Sequence, residues 1–269
     1  MSVPLSPETT MRHLPSLVLL LLSIAAPATA EIVETPVVYE HDGTTFEGFL
    51  AHDSAIDGPV PGVLIVHQWM GLSDNERMRA RMLAEMGYVA FALDVYGQGV
   101  RPANTQEASE EAGKYYADRG LFRERVRLGL ERLRAVEKVD DERVVAIGYC
   151  FGGTAVLELA RSGADVAGVV SFHGGLETPD PSDAENVRTS ILVCHGAVDP
   201  YVPMEQVAGF VDEMEAADVD YQLVMYAGAV HAFTQKGAGD DPAQGAAYDP
   251  MADRRSWEHM KGFFAEVLE

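Results

Sequence analysis

In Gly148-Tyr149-Cys150-Phe151-Gly152-Gly153 a cysteine has glycine two residues away on each side, behind an apolar run and ahead of a helical one. That is the GxCxG form of a nucleophile elbow. The turn strains the central residue's backbone, and the glycines are needed because Cβ atoms there would collide with the neighbouring strand or helix. The Cys150 side chain is thereby held above a sheet. The helix N-terminus favours thiolate over thiol, and the Phe151 N–H can donate to a developing oxyanion. Two later loops carry the partners such a thiol needs. Asp199 follows the apolar run Ile191 to Cys194, and His231 follows Tyr221 to Tyr226. In the order nucleophile, acid, histidine, His231 takes or shares the thiol proton, Asp199 fixes its tautomer, and Cys150 attacks a carbonyl carbon. A second oxyanion donor is expected from the loop His67-Gln68-Trp69-Met70-Gly71, with the Trp69 N–H as the candidate.

The elements that position these loops follow from periodicity. Val37 to Tyr39 and Phe46 to Ala51 flank the turn signal His41-Asp42-Gly43 and predict an antiparallel hairpin. Val63 to His67, Tyr88 to Asp94, Val144 to Tyr149, Val166 to Phe172, Ile191 to Cys194 and Tyr221 to Tyr226 read as further strands, several continuously apolar as in strands covered on both faces. Helical spacing marks Asp74 to Met86, Thr105 to Ala117, Phe122 to Val136, Thr154 to Arg161, Met204 to Ala216 and Trp257 to Val267. Strands alternating with helices predict an α/β fold: a mostly parallel central sheet with helices on both faces, led by the antiparallel hairpin. Thr234 to Asp249, rich in Gly, Ala and Asp, is long enough for a site-covering loop.

The chain of 269 residues has a formal charge of −22, so nucleic acid is excluded as a partner by repulsion. A 47% hydrophobic content supplies a sizeable core and excludes global disorder. Two cysteines, Cys150 and Cys194, are too few for a disulfide scaffold, and Cys194 sits in an apolar strand as an inert buried thiol. His52, His67 and His195 have no metal-ligand spacing and no nucleotide loop is present, so neither metal nor cofactor is expected.

The N-terminus reads as a secretory leader. Arg12 and His13 precede an apolar run from Leu14 through Ala26, and Ala28-Thr29-Ala30 has the small residues of a cleavage site; Met1 or Met11 serves as the start. The run is shorter than the roughly 20 residues of a spanning helix, which disfavours an anchor. Cleavage after Ala30 leaves residues 31–269 as a single domain, periplasmic or secreted and not inserted in a membrane. The lost segment carries one acidic and one basic residue, Glu8 and Arg12, so the charge is unchanged. No sequence feature sets the oligomeric state.

Over the whole of residues 31–269 the sequence resembles the dienelactone hydrolase family, the Cys-Asp-His branch of the α/β-hydrolases. The similarity lies in His67-Gln68-Trp69-Met70-Gly71, Ala92-Leu93-Asp94-Val95-Tyr96-Gly97, the elbow around Cys150, His195-Gly196 through Asp199, His231-Ala232-Phe233, and Ala247-Tyr248-Asp249 to Trp257. The resemblance implies an α/β-hydrolase fold and hydrolysis of a small lactone or ester through a thioester on Cys150, released by water that His231 activates. It places Gln68, Tyr96, Arg101, His173 and Phe233 around the substrate pocket. Family members that open dienelactone have Glu directly after the first-loop histidine, where it helps deprotonate the cysteine; this chain has Gln68, which cannot accept that proton. They also hold a substrate carboxylate with arginines, for which Arg101 is the available candidate. His173, at a strand end, either lines the pocket or packs through a hydrogen bond. The negative charge and the lone anchor Arg101 favour a neutral ester or lactone. The alternatives are a non-catalytic or redox-responsive binding protein on the same scaffold, motivated by Gln68 and an exported thiol, and an acyltransferase or peptidase using the same triad.

Overall fold

The computed structural model describes residues 1–2 and 31–269; the leader assigned to residues 1–30 thus falls almost wholly outside the described residues. Eight strands form one sheet: β1 Ile32–His41, β2 Thr44–Asp53, β3 Val60–Val66, β4 Val89–Leu93, β5 Val139–Tyr149, β6 Gly168–Phe172, β7 Ser190–Gly196 and β8 Tyr221–Tyr226. Their order is β1-β2-β4-β3-β5-β6-β7-β8, with β1–β2 and β2–β4 antiparallel and every other pair parallel. This is the expected α/β architecture. The hairpin closes through Asp42 and Gly43, both in the left-handed region at φ 48° and 74°, as a two-residue turn between right-twisted strands requires.

Among the described residues six α-helices cover the sheet: α1 Asp74–Glu85, α2 Thr105–Ala117, α3 Arg119–Arg134, α4 Phe151–Arg161, α5 Met204–Ala216 and α6 Pro250–Val267. The strand period of two divides the core. On β3, Leu64 and Val66 face the layer containing α3, α4 and α5, while Val63 and Ile65 face the layer containing α1 and α6. Three helices begin earlier than periodicity indicates: α3, α4, which starts at Phe151 rather than Thr154, and α6. The Asp118 side chain accepts from the Leu121 N–H, so α3 starts only one residue after α2 ends. Asp249 accepts from the N–H groups of Met251 and Ala252, and Pro250 fills the first turn of α6.

The chain runs from β3 to β4 on one side of the sheet and then to β5 on the other side of β3. That reversal opens a crevice at the carboxyl ends of β3 and β5, beside Gln68 and Cys150. Helix α4, which starts at the crevice, is fastened at its far end. Arg161 donates twice to Glu213 of α5 (2.7 Å each), once to Glu158 (3.1 Å) and once to the Leu176 carbonyl (2.9 Å). Both Arg161 and Glu213 are buried, so removing Glu213 breaks a bidentate buried pair and leaves the Arg161 charge with a single carboxylate bond, that to Glu158. E213A therefore lowers unfolding free energy in urea by about 3 kcal/mol or more, whereas R143A, which breaks an exposed pair with Asp140, costs less than about 1 kcal/mol.

Candidate active site

The elbow is forced by close packing. A Cβ on Gly148 would lie 1.9 Å from the Gly152 carbonyl oxygen, and one on Gly152 would lie 2.2 Å from that of Val66. Only glycine fits at either position. Cys150 takes φ 54° and ψ −114°, and its N–H donates to the Phe172 carbonyl (3.0 Å). Phe151 is the first residue of α4, so its N–H has no carbonyl within the helix to bond. Its fully buried ring stacks on Phe122 (4.5 Å) and packs against Tyr96 and His67 (5.4 and 5.8 Å), which fixes where the helix begins.

The loop after β3 is held as firmly. His67 donates from Nδ1 to the Gln68 carbonyl (2.6 Å) and accepts at Nε2 from the Val95 N–H (3.1 Å). That pattern requires the neutral ring, and burial pushes the His67 pKa down to about 4. Tyr96 donates its hydroxyl proton to the Trp69 carbonyl (3.0 Å). Among the described residues the Trp69 N–H has no protein acceptor, and Trp69 lines the same pocket as Cys150, which suits the oxyanion role expected of it.

His231 joins the other two groups. Its Nε2 is 3.1 Å from Cys150 Sγ and its Nδ1 is 2.8 Å from Asp199 Oδ2. The other Asp199 oxygen accepts from the N–H groups of Tyr201 and Val202 (2.8 and 3.2 Å), so the carboxylate stays an acceptor and His231 carries its proton on Nδ1 toward it. Burial alone would lower the His231 pKa. The negative charge of Cys150 and the hydrogen bond to Asp199 outweigh burial and raise it to about 10. The Thr234–Asp249 segment contains two single 3₁₀ turns and folds back onto this histidine. His231 donates to the Gly245 carbonyl (3.2 Å) and accepts from the Ala247 N–H (3.0 Å). Gln235, Gly237, Ala238 and Ala246 then wall the pocket, as a covering loop should.

The pocket holds about 740 Å³ and is lined by Gln68, Trp69, Cys150, His231, Tyr201 and residues of α2 and α3. Gln68 stands where the resemblance placed it. Four other expected pocket residues stand behind the wall. Tyr96 is spent on Trp69 and Phe151, as described. Phe233 is fully buried in the core beneath α6. His173 is buried behind His231, with their rings 5.2 Å apart. Arg101 is consumed by the loops it joins: it donates to the carbonyls of Leu72 (3.0 Å), Val100 (2.7 Å) and Gly97 (3.3 Å) and lies 3.4 Å from Asp94 Oδ1. Tied to these loops, Arg101 does not line the pocket and is not placed to anchor a substrate there.

Sequence reasoning missed the cation that does reach the pocket. Arg119 opens α3, one residue beyond the break at Asp118, and lies over the Tyr116 ring (5.2 Å). Its Nε and one terminal nitrogen are buried without a hydrogen-bond partner. Tyr116 and Glu177 share the wall with it. Nothing in the arginine-rich run Arg119 to Arg134 distinguishes this residue from its neighbours.

A parallel-rich α/β sheet carrying a thiol, an imidazole and a carboxylate in hydrogen-bond series at its carboxyl edge belongs among the α/β-fold hydrolases. The family model for the dienelactone hydrolase family matches residues 46–268, and the chain belongs to that family. It is thus a hydrolase of the lactone and ester class. A Saccharolobus solfataricus protein provisionally named a carboxymethylenebutenolidase is 26% identical, covering 87% of this chain and 99% of its own. A Bradyrhizobium protein provisionally named a 2-oxo-3-(5-oxofuran-2-ylidene)propanoate lactonase is 27% identical, covering 81% and 89%. Among solved structures, a dienelactone hydrolase-like promiscuous phosphotriesterase from metagenomic libraries has a TM-score of 0.84 at 39% identity, covering 88% of this chain and 99% of that one.

Because the charge of Cys150 is what most raises His231, C150A must lower the imidazole titration midpoint from about 10. Histidine NMR shifts against pH measure this, and an unchanged midpoint contradicts the coupling.

Proposed function

We propose that the protein is an exported hydrolase that opens small carboxylate-bearing lactones or esters through a thioester on Cys150. The observation that carries this reading is the series Cys150 Sγ, His231 Nε2, His231 Nδ1, Asp199 Oδ2 at 3.1 and 2.8 Å. Export is supported by the leader pattern at residues 1–30.

The chemistry follows from the proton's position. In the free enzyme His231 holds its proton, with its pKa raised to about 10, and Asp199 stabilises the imidazolium charge. Cys150 Sγ adds to the carbonyl carbon, and the oxyanion faces the N–H groups of Phe151 and Trp69. Collapse breaks the bond to the leaving oxygen, which takes the proton from His231 Nε2, and the thioester remains. Acylation removes the sulfur's negative charge, and with it the main influence raising the His231 pKa. Burial then favours the neutral ring, which accepts a proton from water as water attacks the thioester. The same contact that makes His231 an acid in the first half makes it a base in the second. Gln68 need not take part in deprotonation, since the imidazole already holds the proton.

The substrate class follows from Arg119. Arg119 puts a guanidinium on the wall of the pocket that Cys150 also lines, and such a group suits a carboxylate; this replaces the neutral substrate that Arg101 alone had favoured. The lactonase-named relative points the same way, as its named substrate is a propanoate.

A panel of lactones and esters, with and without a carboxylate, and one phosphotriester tests the proposal. C150A loses at least about 10³-fold in kcat and D199N about 10⁴-fold; full turnover by C150A overturns the thioester route. R119A raises KM roughly 10- to 100-fold for carboxylate-bearing substrates, the worth of a charge-assisted bidentate contact, and leaves neutral esters nearly unchanged. Equal losses on both would reject the anchor. With wild type, hydrolysis falls as pH rises through about 10, where His231 loses the proton it must give to the leaving group; a fall beginning near 7 would contradict the assignment.

A further inference from the structure

Three non-glycine residues with left-handed backbone meet at the site: Cys150 (φ 54°), Ala232 (φ 55°) and His173 (φ 41°). The first belongs to the elbow and the second adjoins the catalytic histidine. The third has no role in the chemistry above. Such conformations cost free energy and persist where the surroundings over-determine them.

His173 directly follows β6, with its N–H donating to the Cys194 carbonyl (2.9 Å). The chain must turn there because Gly174 is pressed on α4, where a Cβ would sit 2.6 Å from the Gly153 carbonyl carbon. The turn sends the imidazole inward, where it is 1% exposed. Its edge meets His231 (5.2 Å, 65°) and Phe233 (5.1 Å, 81°), and Nε2 shares a hydrogen bond with Thr234 Oγ1 (2.8 Å). Thr234 is also buried, and its carbonyl accepts from Arg79 of α1 (3.1 Å), which is paired with Asp253 of α6 (2.6 Å). The segment His231-Ala232-Phe233-Thr234 is thus fixed at its far end by β6, α1 and α6 together, while its first residue reaches Cys150 and Asp199.

We propose that His173 is a positioning residue for the catalytic histidine. Its neutral imidazole braces the His231 ring from behind and ties down Thr234, keeping His231 within hydrogen-bond reach of both Cys150 and Asp199. His173 takes no proton in the cycle. The groups facing it are His231 from the loop after β8, Arg79 from α1, His195 from β7 and the Tyr149 ring from β5. Burial, aided by the charges of His231 and Arg79, holds its pKa well below the ordinary histidine range. A neutral brace is required, since a second imidazolium against His231 would repel it just when His231 must be charged.

This inference rests on the Cys150–His231 reading, but it is tested by a signal that needs no substrate turnover: the pH dependence of Cys150 alkylation by iodoacetamide, located by peptide mass spectrometry. Hydrolysis of p-nitrophenyl acetate is measured in parallel. H173F keeps the volume and loses the hydrogen bond, H173Q carries an amide toward the position of Nε2, and T234V loses only the hydroxyl. H173F is expected to shift the alkylation profile to higher pH and to lower kcat roughly 10- to 100-fold, as misplacement of a catalytic group does, with KM within about twofold. T234V shifts both in the same direction by less, and H173Q recovers part of the loss. If H173F, or T234V where H173F does not fold, keeps the wild-type kcat and alkylation profile, the positioning role is overturned. Wild type that alkylates with a low-pH profile but hydrolyses no ester would count against the proposed function and leave the His173 comparison intact.

Discussion

A sulfur on the loop after β5 and an imidazole on the loop after β8 stand 3.1 Å apart, and the site's chemistry depends on that contact. It decides where the proton sits, and so whether His231 acts as acid or base at each stage. Neither loop could maintain it alone. The sulfur is lifted by a turn that only glycine permits at 148 and 152. The imidazole is held by Asp199 in front and by the return of residues 245–247 along its backbone. The crevice that admits a carbonyl carbon between them exists because the strand order reverses at β3.

Much of this was legible in the sequence because the constraints are local. Gly148 is demanded by a backbone contact within the elbow itself and Gly152 by the end of the neighbouring strand β3, the contacts that the GxCxG pattern signals, and the order Cys150, Asp199, His231 needs only the alternation of strands and helices. What escaped was tertiary. Arg101 and Arg119 look equally available in the chain, yet four partners consume Arg101 while the break at Asp118 leaves Arg119 on the pocket wall with nitrogens unpaired. Phe233 was placed in the pocket but is buried in the core, and of the two readings open for His173, lining the pocket or packing through a hydrogen bond, the second holds, because the turn after β6 sends its ring inward to Thr234. The early start of α6 was within reach, since Asp249-Pro250 is a capping aspartate followed by a first-turn proline, a stronger boundary signal than the apolar stripe from Trp257.

The net charge of −22 gains meaning from the same correction. An acidic surface slows an anionic substrate at long range, but screening confines that effect to about 8 Å at physiological salt. Inside the pocket the local field is set by Arg119 and Glu177 on its wall and by the N–H groups at the head of α4. Surface charge and substrate charge are therefore separate questions, and the second is answered within the crevice.

The thioester itself is the most direct evidence for the mechanism. Rapid acid quench of the enzyme during turnover of an activated ester, followed by intact-protein and peptide mass spectrometry, should show the acyl mass on the peptide containing Cys150, removable by neutral hydroxylamine and absent in C150A. With an activated ester, whose leaving group departs without a proton, accumulation is favoured in H231A, which removes the base that releases the thioester. An acyl group found on another residue, or steady turnover with no adduct in wild type or in H231A under conditions that trap a thioester, would contradict nucleophilic attack by Cys150.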